Sequence, residues 1–306
     1  MKIFVAGATG VLGQRAVPLL VRAGNSVTGV ARSKQKAARL RELGGEPVEV
    51  DLFDEASVAA AVNGHDVVIN LATKIPPPSQ AALGRAWRES HRIRTEGAGN
   101  LVAASLATGV TRFVQESIAF IYPDRGNEWI DEDVPLDPPV LGRANQAAET
   151  HANRFTEAGG VGVVLRFGQF YAWETIHTQY IRRMARLRLP GVPGPKGAYC
   201  PAIAVDDAAA AVVAALDVPA GHWNVCDDDP LTRQAYNQAV ADALGVKPPL
   251  LTGTLLLKLS ANTRFYLRSQ RVSNRRFKGA TDWFPRYRDA RTGWLAMVAE
   301  NAGVSA

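Results

Sequence analysis

Short apolar runs at 2–6, 26–31, 46–50, 66–71, 111–117, 161–167 and 222–226 alternate along the chain with stretches near 11–23, 34–43, 55–62, 84–108 and 141–158. In the longer stretches apolar residues recur at helical spacing. Runs that short, apolar on both faces and separated by helices, predict buried parallel strands joined by crossover helices. The expected fold class is α/β, a doubly wound parallel sheet covered on both sides. Asp54 before Glu55, and Asp206 with Asp207 before an alanine-rich run, sit where a helix accepts side-chain caps. Residues 1–168, with 202–227 returning, are expected to form the sheet domain. Residues 169–201 and 228–306 are expected to form a small C-terminal substrate lobe, entered through the Pro/Gly-rich stretch 190–197.

The first strand runs straight into Gly7, Gly10 and Gly13, and a helical pattern opens at once behind them. Strand, glycine turn and helix together bring backbone N–H groups and the positive end of a helix close to a phosphate. Gly7, Thr9, Gly10, Val11, Leu12 and Gly13 are therefore the expected pyrophosphate cradle of a Rossmann-type dinucleotide site. An acid at the end of the second strand would select the ribose 2′-hydroxyl of NAD. Here the stretch offers Arg32, Ser33, Lys34 and Lys36, and no acid before Glu42. A guanidinium and a hydroxyl suit a 2′-phosphate, so the expectation is NADP(H) over NAD(H).

Composition adds bounds. With 306 residues, 47% hydrophobic and 21% charged, the chain can bury a substantial core and a smaller lobe. The longest late apolar stretch, 250–261, is interrupted by Lys258 and falls short of the ~20 residues that span a bilayer. With no signal-peptide pattern at the start, the expectation is a cytoplasmic protein that does not enter membranes. Cys200, Cys226 and the scattered His65, His91, His151, His177 and His222 make no metal-ligand spacing, so no metal is expected. The net charge of +6 is uneven: the basic residues of 258–291, set against only Asp282 and Asp289, give that block +8. Such a block could meet nucleic acid, but a solvated, salt-bridged surface is the better reading. The oligomeric state is left open.

The glycine spacing, Asp51-Leu52 after the third strand, Asn70 to Thr73 ending the fourth and Phe113 to Tyr122 around the fifth resemble the extended short-chain dehydrogenase/reductase superfamily, epimerase/dehydratase-like. Val164 to Tyr171, Ala204 to Asp207, and Arg271 to Arg276 with Trp283 and Pro285 continue the resemblance over nearly the whole chain. It implies that Asp51 and Leu52 flank the adenine, and that Leu71, Ala72 and Thr73 line the ribose and pyrophosphate. It also implies a catalytic Tyr and a Lys four residues later, the Lys lowering the phenol's pKa. Neither is present. Leu141 stands at the Tyr position and Asn145 at the Lys position, no tyrosine in the chain is followed four residues later by lysine, and no lysine occurs between Lys74 and Lys196. Ile118 occupies the place of the family's catalytic hydroxyl.

A general acid contributes ~10²–10⁴ in rate, so its loss changes the chemistry. Replacement donors by position are Glu116, Ser117 and Tyr122, with Glu116 foremost because a carboxyl at a strand end in a dry pocket can have a raised pKa. Arg143, Asn145, Tyr171, His177 and Tyr199 are the expected contacts to a small-molecule substrate. The reading is an NADP-binding atypical short-chain dehydrogenase-like protein, an oxidoreductase, isomerase or epimerase acting on a small polar organic molecule with a non-standard proton donor. Its rivals are a non-catalytic NADP sensor that binds protein or DNA, and a redox-neutral lyase or cyclase.

Overall fold

A computed structural model describes residues 1–252 and 254–301. The strands are β1 Lys2–Ala6, β2 Ser26–Val30, β3 Glu46–Val48, β4 Val67–Asn70, β5 Arg112–Ile118, β6 Trp129–Ile130, β7 Val161–Phe167, β8 Gln169–Tyr171, β9 Tyr199–Cys200, β10 Ala202–Ala204, β11 Gly221–Val225, β12 Leu231–Thr232 and β13 Arg271–Val272. The helices are α1 Gly13–Arg22, α2 Lys34–Glu42, α3 Glu55–Val62, α4 Arg88–Arg92, α5 Ala98–Ala107, α6 Arg143–Glu157, α7 Ile176–Arg186, α8 Val205–Ala214, α9 Arg233–Leu244, α10 Thr254–Leu257, α11 Arg275–Ala280 and α12 Ala290–Asn301.

Seven parallel strands form the main sheet in the order β11-β7-β5-β4-β1-β2-β3. The order reverses between β1 and β4, so the crevice outside their carboxyl ends is where such a sheet binds ligands. One apolar cluster packs α1 and α8 under the sheet, and a second packs α3, α5 and α6 over it. A third cluster, with Tyr236, Trp294, Ile181 and Val192, holds α7, α9 and α12 together at the carboxyl end of the sheet. The chain leaves the sheet after β7 and returns to it with α8 and β11. Among the described residues, no helix is long and apolar enough to cross a membrane.

The single long helix expected over 84–108 is instead a 3₁₀ turn at Gly84–Trp87, α4, a π-helical turn at Ile93–Gly97 and then α5. Hydrophobic spacing could not reveal the π turn, because the inserted residue shifts the face by less than a full turn. Its consequence is that Arg94 turns inward.

Candidate cofactor and active site

The glycine turn is built for backbone contact. Gly7 has φ +82°, and a Cβ there would lie 2.5 Å from the carbonyl carbon and oxygen of Leu71 at the end of β4. A Cβ on Gly13 would lie 2.2 Å from the Gly7 carbonyl oxygen, so α1 can approach β1 only without a side chain at that position. Gly10 is exposed, and among the described residues only the Gly7 carbonyl oxygen comes near it, at 3.2 Å from its would-be Cβ. The Gly10 N–H donates to Gly7 O at 2.9 Å and the Gln14 N–H to Gly10 O at 2.9 Å, which closes the turn onto the opening of α1. Gln14 Nε2 donates to the Thr9 carbonyl, Leu12 is buried and Val11 is exposed. A tight, side-chain-free cradle at a helix start fits a pyrophosphate.

Around it, Arg32 and Ser33 follow β2 and Lys36 lies in the first turn of α2, all three exposed. The Ser33 hydroxyl caps α2 by accepting the Lys36 N–H at 3.3 Å, and Arg32 Nη1 has Glu89 Oε1 4.0 Å away on α4. Lys74 also pairs with Glu89. Asp51 is exposed, its carboxylate accepting the Phe53 N–H at 3.0 Å, with Leu52 half-buried beside it. Leu71 is buried, Ala72 donates its N–H to Asn70 Oδ1 at 3.1 Å, and Thr73 is exposed at the strand end.

Glu116 is buried, and both of its oxygens accept from Arg94 Nη2, at 3.1 and 3.0 Å. Arg94 in turn donates through Nη1 to Ser90 Oγ at 2.7 Å and to Thr73 Oγ1, tying the π turn to the ends of β4 and β5. Burial pushes the Glu116 carboxyl up, and the guanidinium opposes that shift. Sequence reasoning missed Arg94. The one available signal was an arginine in an otherwise apolar helical stripe with Ile93, Gly97, Ala98 and Leu101.

Ser117 and Tyr122 lie in a different place. Both are fully buried, in a network where Ser117 Oγ donates to Glu149 Oε1 at 2.6 Å and Arg166 holds Glu149 through Nε at 3.0 Å and Nη2 at 2.7 Å. Arg166 Nη1 donates to the Tyr122 hydroxyl at 2.8 Å, which donates to Asn224 Oδ1 at 2.9 Å. Burial raises the Tyr122 phenol to about 12. This chain of groups fastens β5, β7, α6 and β11 together beneath the crevice.

Of the expected substrate contacts, Arg143 is exposed at the start of α6, and Asn145 is buried with no hydrogen-bond partner for Nδ2 among the described residues. Leu141 is buried one turn before Asn145, and half-buried Ile118 ends β5. Tyr171 is buried, stacked on Trp294 and packed on Gly293, with its hydroxyl 3.5 Å from Asp227 Oδ2. His177 contacts Gln169 Nε2 at 2.9 Å, and burial lowers its pKa to about 4. Tyr199, half-buried, lies beside the Arg271 guanidinium. The structure thus gathers the glycine turn, Arg32 and Thr73 along one edge and joins Thr73 to Glu116 through Arg94. Ser117, Tyr122 and Tyr171 are packed into the interior.

The basic block is largely neutralised locally. Arg268 pairs with Asp137, Arg276 with Glu132 and Asp133, Lys278 with Asp228, Arg286 with Glu300, Arg288 with Asp229, and Arg291 with Asp242. Arg271 and Arg275 lie over the Trp129 ring.

A glycine-cradled crevice on a doubly wound sheet defines an NAD(P)-binding protein, and residues 7–219 match the family model described as NAD(P)H-binding. The chain belongs to that family and is an atypical, extended member of the short-chain dehydrogenase/reductase superfamily. It is 31% identical over 310 residues to a 3-diazoavenalumate denitrifying reductase of a Streptomyces species, a match covering 96% of this chain and 99% of that one. It is also 31% identical over 136 residues to a 2-alkyl-3-oxoalkanoate reductase of Shewanella oneidensis, 43% of this chain and 32% of the relative. In fold it is similar to the UDP-glucose 4-epimerase of Thermus thermophilus solved with NAD, with a TM-score of 0.79, 20% identity and 99% of each chain covered.

Proposed function

We propose that this protein is an NADPH-dependent reductase whose substrate accepts hydride without a proton from the enzyme, most simply an aryl diazonium compound. The observation that carries the reading is the replacement of the proton-handling set by residues that do not titrate: Ile118, Leu141 and Asn145 where a hydroxyl, a phenol and an ammonium would stand. A carbonyl accepting hydride builds up alkoxide charge and needs an acid. An aryl diazonium already carries its positive charge. Hydride and an aryl diazonium together give an arene and dinitrogen, with no proton consumed in the sum. The chain-long similarity to a denitrifying reductase supports the same substrate class.

When bound, NAD(P)H would supply the hydride. The glycine turn, Gly7 to Gly13, would hold its pyrophosphate; Arg32, Ser33 and Lys36 would favour the 2′-phosphate form. Asp51, Leu52, Leu71, Ala72 and Thr73 would line the adenosine and ribose. Asn145, with its buried and unpartnered amide nitrogen, would donate to a ribose hydroxyl. Ile118 and Leu141 keep water from the reacting carbon, which protects a diazonium from hydrolysis. Glu116 fixes Arg94 and through it Thr73, and acts as a positioning residue. The local pairing of the basic block supports an enzyme over a nucleic-acid-binding sensor.

The test mixes purified protein with NADPH or NADH and either an aryl diazonium acid or the matching aryl aldehyde. The expected result is NADPH consumption matched one for one by dinitrogen release, with the aldehyde left unreduced. Aldehyde reduction without diazonium turnover would overturn the reading.

A further inference from the structure

Arg233 is the first residue of α9, directly after the Thr232 cap. Its side chain is 1% exposed, yet among the described residues no carboxylate lies within ion-pairing distance of it. Among the described residues, Nη2 donates to the Arg268 carbonyl at 3.3 Å, Nε and Nη1 have no hydrogen-bond partner, and the guanidinium lies beside the buried Cys200 thiol. A buried guanidinium lacking an anion is costly to desolvate, and an arginine fork is shaped for a carboxylate or phosphate.

A cleft opens beside the group, and the backbone packs closely on its stem. Gly194, at φ +136°, passes beneath it, and a Cβ there would lie 2.6 Å from both Cδ and Nε of Arg233. Arg233 lines a cleft of about 130 Å³ with Gly194, Lys196, Gln234, Gln238 and Thr252, on the scale of a single small group. Lys196 is exposed at the rim. From the guanidinium an aromatic row leads back towards the sheet: Arg233 Cζ is 5.8 Å from the Tyr266 ring centre, Tyr266 is 4.1 Å from Phe265, and Phe265 is 5.5 Å from Phe120. Phe120 follows two residues after Ile118, at the strand end assigned to the reaction.

We propose that Arg233 is the anchor for the carboxylate of an aromatic acid substrate seated in this cleft, with the packed row Tyr266, Phe265 and Phe120 marking the direction of the strand end. This deepens the reductase reading and rests on it for the reacting group, but not for the anion.

Two measurements separate the two. In the first, cinnamate and cinnamamide are titrated into the protein and followed by thermal midpoint and calorimetry. Cinnamate should bind and raise the midpoint, the amide should bind about 10- to 100-fold more weakly, as loss of a charge-assisted bond requires, and Arg233→Gln should abolish the difference. Arg233→Lys should restore part of it, and Lys196→Gln should give a smaller, salt-sensitive loss. Without ligand, Arg233→Gln should melt no lower than the parent, because it removes an unpaired buried charge. In the second, the kcat/KM ratio of an aryl diazonium acid to its amide should fall from about 10- to 100-fold towards unity in Arg233→Gln, through KM. Cinnamate binding that depends on Arg233 with no diazonium turnover would sink the reductase reading and leave the anchor standing. Equal binding of acid and amide, or a destabilised Arg233→Gln that still prefers cinnamate, would overturn the anchor.

Discussion

Arg94 and Glu116 meet as a buried ion pair, one guanidinium nitrogen serving both carboxylate oxygens, with side-chain exposures of 4% and 6%. The pair joins a π-helical turn to the end of β5 beside the crevice. Removing one partner leaves the other charged and buried. Glu116→Gln should therefore cost about 3–5 kcal/mol in chemical denaturation. The same variant decides the carboxyl's role: with a positioning residue the kcat–pH profile keeps its shape, whereas an acid limb present in the parent and absent in Glu116→Gln would make Glu116 the proton donor.

The glycine cradle should respond in two distinct ways. Gly13→Ala drives a methyl into the Gly7 carbonyl, and Gly7→Ala adds an unfavourable positive φ to a clash with the Leu71 backbone. Each should lower stability by roughly 1–3 kcal/mol and abolish cofactor binding. Gly10→Ala meets only the Gly7 carbonyl oxygen at 3.2 Å and faces solvent. It should melt near the parent while NADPH fluorescence titration shows markedly weaker binding; a Gly10→Ala that binds normally would remove the pyrophosphate from this turn.

Arg32→Glu should weaken NADPH by about 10- to 100-fold, the worth of one charge-assisted contact, and NADH far less. Equal losses for the two cofactors, measured side by side by fluorescence, would refute Arg32 as a 2′-phosphate clamp.

Tyr122→Phe deletes a hydroxyl held between Arg166 and Asn224 in the interior. The expected outcome is a stability loss of about 1–3 kcal/mol from the polar groups left unpaired, with kcat per folded molecule unchanged. A large fall in kcat at unchanged stability would restore Tyr122 to the catalytic set.

His177 sets part of the acid limb of stability. Burial lowers its folded pKa to about 4 from the ordinary 6.5, so the unfolded chain takes up a proton first as pH falls. Stability should decline between about pH 6.5 and 4, at up to about 1.4 kcal/mol per unit, and level off below. Burial lowers His91, His151 and His222 as well, and they add to the same limb. His177→Gln should flatten the curve measurably; an unchanged slope would show that the ring is protonated in the fold.

The sequence by itself determined the α/β class, the seven strand runs of the main sheet (β1 to β5, β7 and β11), the glycine cradle and the missing Tyr and Lys. Each of these is a local or ordered signal: periodicity of two or 3.6, a glycine whose φ no other residue adopts cheaply, a residue type at a fixed offset. Asp54 capping α3 through the N–H groups of Ala56 and Ser57 is of the same kind. Only the tertiary structure decided which polar residues share a pocket. Arg94 finds Glu116 across 22 positions and Arg166 finds Tyr122 across 44, while Arg233 finds no acid among the described residues. Nothing local encodes such partnerships, because a charge is stabilised by whatever the fold carries next to it. Ser117 and Glu116, neighbours in the chain, show this most plainly: one is bonded to α6 and the other to the π turn, and the helical segments packed around the strand end, rather than residue type, sent them apart.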